Sequence, residues 1–92
     1  QLMSEARLPE RLTLAEAGTV LSALRRSLAG PGEAVLSVDA SDLRSFDSSA
    51  VAVLLELRRE ALAQGRSLRV LRWPARLQAL VALYGVQELL PA

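Results

Sequence analysis

Three aspartates and two serines are the residues whose types and spacing could do chemistry in this chain. Asp39 ends one apolar run, Asp42 follows it, and Asp47-Ser48-Ser49 stands directly before a second apolar run. An Asp-Ser-Ser sequence in that place is first of all a helix N-cap, because a short side-chain oxygen there accepts a first-turn N–H. It also places a serine hydroxyl at a helix N-terminus, where backbone N–H groups and the dipole would stabilise a phosphate carried by Ser48. Asp39, Asp42 and Asp47 would then either repel that phosphate or assist its transfer. A third use of the same exposed turn is as a docking patch.

Catalysis finds little to work with. The chain has no histidine, the commonest general base, and no lysine to pair with a nucleophilic serine. The serines do not lie in G-x-S-x-G, and no G-x-x-x-x-G-K-[ST] loop is present. Without cysteine there are no disulfides and no thiolate ligands. The expectation is a non-enzyme with neither metal nor cofactor.

The net charge of +1 gives no electrostatic case for nucleic acid. All eleven basic residues are Arg. Residues 1–50 hold five Arg against seven acids, and residues 51–92 hold six against three. Arg66, Arg69, Arg72 and Arg76 follow the central apolar run and read as a solvated face. The longest apolar run, Ala50 to Leu55, is far too short to cross a bilayer, and no signal peptide is visible. A cytoplasmic location is expected, with the inner membrane reached only through a partner. Gln1-Leu2 ahead of Met3 reads as an expression remnant, with Met3 the expected natural start.

Ninety-two residues suit one domain, spanning 1–92, and 51% hydrophobic residues can fill a core. The elements that must position the serines follow from periodicity. A short edge strand is expected at Ala6–Leu8, since Pro9 argues against a central one. Thr13 and Glu16 match the capping box, with Thr13 accepting a first-turn N–H and Glu16 reaching back to the cap. The helix behind them aligns Ala17, Val20, Leu21, Leu24 and Leu28, and Gly30-Pro31-Gly32 should stop it. Ala34–Asp39 is short and apolar enough for a strand covered on both faces. The loop Ala40–Phe46 is polar except for Leu43 and Phe46. With Asp47 as N-cap, Phe46 and Val51 would form a hydrophobic staple. The central helix buries Ala50, Val53, Leu54, Leu57 and Ala61, shows Ser49, Ala52, Glu56, Arg59 and Glu60, and ends at Gln64-Gly65. Ser67–Trp73 reads as a strand, Pro74 as the first position of a last helix, and Leu77, Leu80, Val81 and Tyr84 as its buried side. Gly85 caps that helix, and Val86–Leu90 should pack back as a strand or turn. Alternating strands and helices imply an α/β domain with right-handed crossovers: a mostly parallel (mixed) sheet of about four strands, flanked by three or more helices.

Residues 34–65, AVLSVDASDLRSFDSSAVAVLLELRREALAQG, resemble the core motif of the STAS domain family. In that family a buried strand ends in Asp, a loop with apolar and acidic positions follows, and Asp-Ser-Ser-Gly or Asp-Thr-Ala-Gly opens a helix. Leu12–Leu28 is similar to the segment leading into the family's first helix, and Leu68–Leu90 to its last strand and helix. Two departures stand out. Ala50 replaces the usual Gly, which bears on how closely a partner could approach, and the N-terminus has room for about one strand where many members carry two.

The resemblance implies a STAS-like fold and a binding module. In one branch, anti-sigma-factor antagonists are phosphorylated on the serine matching Ser48 and bind a kinase-like anti-sigma factor. In the other, the favoured one, the domain is the small MlaB-type subunit that supports the ATPase of an ABC transporter moving phospholipids between Gram-negative membranes. The tail Leu80–Val86 is similar to the ending of that subunit. Either branch implies a docking face over Asp42, Arg44, Asp47, Ser48, Ser49, Ala52, Glu56 and Arg59, with Ser48 as the phosphoacceptor-like residue. A nucleotide or anion at the helix N-terminus, and homodimerisation through an apolar helix face, are the remaining readings.

Overall fold

The computed structural model describes residues 4–29 and 34–90. The expected helix stop at Gly30-Pro31-Gly32 and the readings on Gln1, Leu2 and Met3 lie outside them. Within the described residues the chain runs β1 (Ser4–Arg7), β2 (Arg11–Leu12), α1 (Leu14–Ala29), β3 (Val35–Asp39), β4 (Ser45–Phe46), α2 (Ser48–Ala63), β5 (Ser67–Leu71) and α3 (Ala75–Leu83). The α/β reading therefore holds. The strands form a three-stranded sheet in the order β1-β3-β5 and a separate pair β2-β4, with parallel pairing throughout.

Two strands precede α1, so the expectation of room for about one is corrected. The second is only Arg11–Leu12, paired with Ser45–Phe46 inside what reads from sequence as a plain loop. Two residues carry no alternation for a sequence pattern to detect. β1 does lie at the sheet edge, ahead of Pro9.

The register explains the core. Leu36 pairs with Leu68, and Val38 with both Val70 and Ala6, so one sheet face is an apolar row. α1 packs on β1 and β2, α2 packs on β5, and the two helices pack on each other, covering that face together. Leu24 and Leu28 of α1 are buried there, with Ala17, Val20 and Leu21 partly so. α2 buries Ala50, Val53, Leu54, Leu57 and Ala61 as its spacing requires, together with Val51. Phe46 and Val51, the staple pair, are both buried in the same cluster.

The helix ends obey their local chemistry. The Thr13 N–H and hydroxyl both donate to Glu16 Oε1, at 2.8 and 2.6 Å, and Thr13 Oγ1 accepts from the Ala15 N–H at 3.3 Å. These bonds from Thr13 hold the Glu16 carboxyl below its usual range. α2 closes in a Schellman motif: Arg66 N–H donates to Ala61 O and Gly65 N–H to Leu62 O, with Gly65 at φ 74°. α3 closes the same way through Val86, Val81, Gly85 and Ala82. Pro74 is the N-cap of α3, one position earlier than expected. Tyr84 is its C-cap and half-exposed, not part of the buried side, which is formed by Leu77 and Val81. Residues 87–89 form a turn, and Leu90 after it is returned to the core.

Candidate functional site

Asp39 anchors the site from the end of the central strand. Its carboxylate takes a bidentate bond from Arg72, Nε to Oδ1 at 3.2 Å and Nη2 to Oδ2 at 3.0 Å. It also accepts the Ser41 N–H at 2.9 Å. Asp39 is only 6% exposed. The Arg72 bonds, helped by the Ser41 N–H, hold its carboxyl far below the ordinary carboxylate range. Arg72 itself adopts φ 54°, a left-handed conformation that costs a non-glycine residue about 1–2 kcal/mol and that the bidentate pair offsets. Arg7 approaches Asp39 at 3.8 Å and Asp42 at 3.3 Å. The ends of β1, β3 and β5 are thus clasped together where the loop 40–47 departs.

That loop is pinned from its other side. Arg44 N–H and Ser45 N–H both donate to Glu10 O, at 2.8 and 3.0 Å, and the Arg44 side chain stands 3.7 Å from the Glu10 carboxylate. Leu43 and Phe46 point into the core. The polar loop is held in place by its two apolar residues and its backbone bonds.

Asp47 then caps two helices at once. Its Oδ1 accepts from Ser49 N–H at 2.8 Å, as expected of the α2 N-cap. Its Oδ2 accepts from Leu14 N–H at 3.2 Å, in the first turn of α1. The Ser49 bond, aided by the Leu14 bond, holds the Asp47 carboxyl below its usual range. Asp47 lies beside the exposed Ser48, and its carboxylate oxygens are occupied by these two N–H groups.

Ser48 is exposed, Ser49 half-buried and Ala52 exposed, forming a small-residue ridge at the start of α2. Ala50 faces the core with no exposed surface, so the methyl that replaces the usual Gly does not stand on this ridge. Grooves flank the ridge on both sides. Towards α3 lies a cavity of about 510 Å³ lined by residues that include Phe46, Ser48, Arg76, Leu83 and Tyr84. Towards α1 lies one of about 350 Å³ lined by residues that include Leu14, Gly18, Ser49, Ala52 and Glu56. Leu14 is 78% exposed, Leu83 76% and Tyr84 52%. Large apolar side chains are thus left in solvent on either side of a hydroxyl ridge.

The other sequence candidates divide. Glu56 and Arg59 pair with each other, which lowers the Glu56 pKa and raises that of Arg59. Glu56 lies 3.8 Å from Arg25 of α1, and Arg25 also grips Glu60 at 2.7 Å. This side of α2 therefore clasps α1 as well as facing outward. Asp42 and Arg44 pair with Arg7 and Glu10 and line neither groove. Leu14, Arg76 and Leu83 were missed. Leu14 and Leu83 stand off the apolar stripes of their helices, and an off-stripe leucine beside a helix end is the signal that could have found them.

The four arginines expected on a solvated face divide. Arg66 is buried and donates to Leu28 O at 3.3 Å, Arg72 serves Asp39, and Arg76 sits over the Phe46 ring, 4.9 Å from its centroid. Arg69, Arg72 and Arg76 are exposed, as a solvated face requires, and of the four only Arg66 is buried. Among the described residues no helix is long and apolar enough to cross a membrane, and no cluster of three His, Cys, Asp or Glu could hold a metal ion.

No curated protein matches this sequence. The family described as "Mlab, STAS domain" does, over residues 5–91, nearly the whole chain. With the clasped strand end, the double-capped Asp47 and the exposed serine all in place on a parallel α/β sheet, the chain belongs to the STAS domain family, in the group described by that name.

Proposed function

We propose that this chain is a non-catalytic subunit that docks on the ATPase subunit of an ABC transporter moving phospholipids and maintaining outer-membrane lipid asymmetry. Docking uses the ridge Ser48-Ser49-Ala52 and the grooves beside it. The observation that supports this most directly is the ridge itself: small residues flanked by Leu14 on one side and Leu83 and Tyr84 on the other, all exposed. The family description favours the transporter branch. The protein then works in the cytoplasm and meets the inner membrane through its partner. Its role is to hold the ATPase in an assembled, active form, which needs a rigid face and no reacting group.

The exposed hydroxyl of Ser48 supports a second reading, an anti-sigma-factor antagonist switched by phosphorylation. A phosphate there adds about −1.5 to −2 charges to the ridge and would abolish docking. Purification of the tagged protein from native membranes, alongside Ser48→Arg, separates the two. Recovery of an ABC ATPase and its permease, lost with S48R, is the expected result. Recovery of a soluble anti-sigma factor or serine kinase instead would establish the second reading. Undiminished recovery with S48R would remove the ridge from the interface.

A further inference from the structure

The groove between the first turn of α2 and α3 holds the guanidinium of Arg76. Arg76 lies over the Phe46 ring and has no carboxylate within 4 Å among the described residues. Arg7, Arg11, Arg25, Arg44, Arg59 and Arg72 all have one, and what sets Arg76 apart from the other arginines without one is its place in a groove, over an aromatic ring. The acid that shares the groove, Asp47, has both oxygens engaged by the Ser49 and Leu14 N–H groups. The opposite wall is the N-terminus of a sixteen-residue helix, whose dipole is already met by the Asp47 cap. At the rim stand Leu83 and Tyr84, both exposed.

These features constrain what can cover the groove. An apolar side chain alone would strip water from the guanidinium and leave it uncompensated, which is costly. A basic side chain would be repelled by Arg76. A carboxylate satisfies the guanidinium fork bidentately, and the ring beneath already orients that fork. The apolar rim requires hydrophobic neighbours beside the acid.

We infer that this groove receives an acidic side chain of the ATPase subunit, flanked by apolar residues, and that Arg76 is the residue that recognises it. The inference rests on the docking proposed above and adds the chemistry of the partner's contact. A fully desolvated charge pair is strongly coupled, whereas a rim charge mainly alters association rate.

The test is titration of the full chain with the purified ATPase subunit. Arg76→Ala should weaken binding by about 30-fold or more, Arg76→Lys by less, and Arg76→Glu should abolish it. Arg69→Glu, on an exposed position of β5, should leave binding within about threefold. ATPase variants with single surface Asp or Glu residues changed to Arg are then screened against R76E, and one of them should restore binding. Thermal unfolding of R76A checks that the fold is kept, as expected for an exposed side chain. If R76A binds within threefold of wild type while Ser48→Arg does not bind, the inference fails and the docking reading stands. If R76A weakens binding but no charge reversal restores R76E, the acidic contact is refuted. If R76A instead loses affinity only for anionic phospholipid vesicles, the groove serves a membrane surface and the inference also fails. If neither wild type nor S48R binds the ATPase, or both bind it equally, the docking reading itself fails.

Discussion

Replacing Asp39 by Asn should cost the fold about 1.5–2.5 kcal/mol at neutral pH. The substitution keeps the shape of the side chain but removes the charge that holds Arg72 in bidentate contact at 3.2 and 3.0 Å. Hydrogen bonds to charged groups are worth about 1.5–3 kcal/mol. The larger penalty for stranding a buried charge, about 3–5 kcal/mol, does not apply, because the Arg72 side chain is 58% exposed and can be rehydrated. An Asn oxygen still accepts one N–H, from Ser41 or from Arg72, which keeps the loss near the middle of the range. In a domain of this size the melting temperature should fall by about 8–15 °C. The pH dependence carries an independent sign. The folded-state carboxyl of Asp39 titrates below its unfolded value of about 3.9, so its stabilisation is fully present above that pH and fades as pH falls towards the folded value. The gap between wild type and D39N should therefore be constant from about pH 8 to 5 and narrow below about pH 4. Urea unfolding followed by circular dichroism at several pH values measures both. A gap under about 0.5 kcal/mol at pH 7, or one that does not change down to about pH 2.5, would refute the clasp.

Two further substitutions test the fold at single atoms. Gly18 lies exposed within α1, and a Cβ there meets nothing within 4 Å, so Gly18→Ala should raise stability by about 0.5–1 kcal/mol, read as a higher melting temperature. Ser37 is fully buried on the central strand, with an Oγ that has no hydrogen-bond partner among the described residues. Ser37→Ala should leave stability unchanged or raise it, and a loss above about 1 kcal/mol in urea unfolding would mean that the hydroxyl is satisfied after all.

What could be read from sequence was whatever local chemistry determines. Asp47 and the capping box at Thr13–Glu16 announce helix starts, Gly65 and Gly85 announce helix ends, and the apolar spacing of Ala50–Ala61 fixes which side of α2 faces the sheet. What could not be read depends on partners far along the chain. Arg11–Leu12 becomes a strand only because Ser45–Phe46 lies beside it. The Asp47 bond to Leu14 spans 33 residues, and it turns a simple cap into the tie between α1 and α2. The arginines after α2 look alike in sequence, yet Arg66 is buried against Leu28 O, Arg72 serves Asp39 and Arg76 covers Phe46. The ridge at Ser48 was legible from its cap. The grooves beside it were not, since they arise where α1 and α3 come to rest against α2.

The most direct measurement places a photo-cross-linking residue at Ala52 on the ridge and, in a second variant, at Arg69 on the exposed side of β5, and irradiates each in cells. Cross-links from position 52, but not from 69, to the ATPase subunit of a phospholipid-transporting ABC complex, identified by mass spectrometry, are the expected result. Cross-links to that ATPase from position 69 alone, or from neither position, would contradict a docking face centred on Ser48.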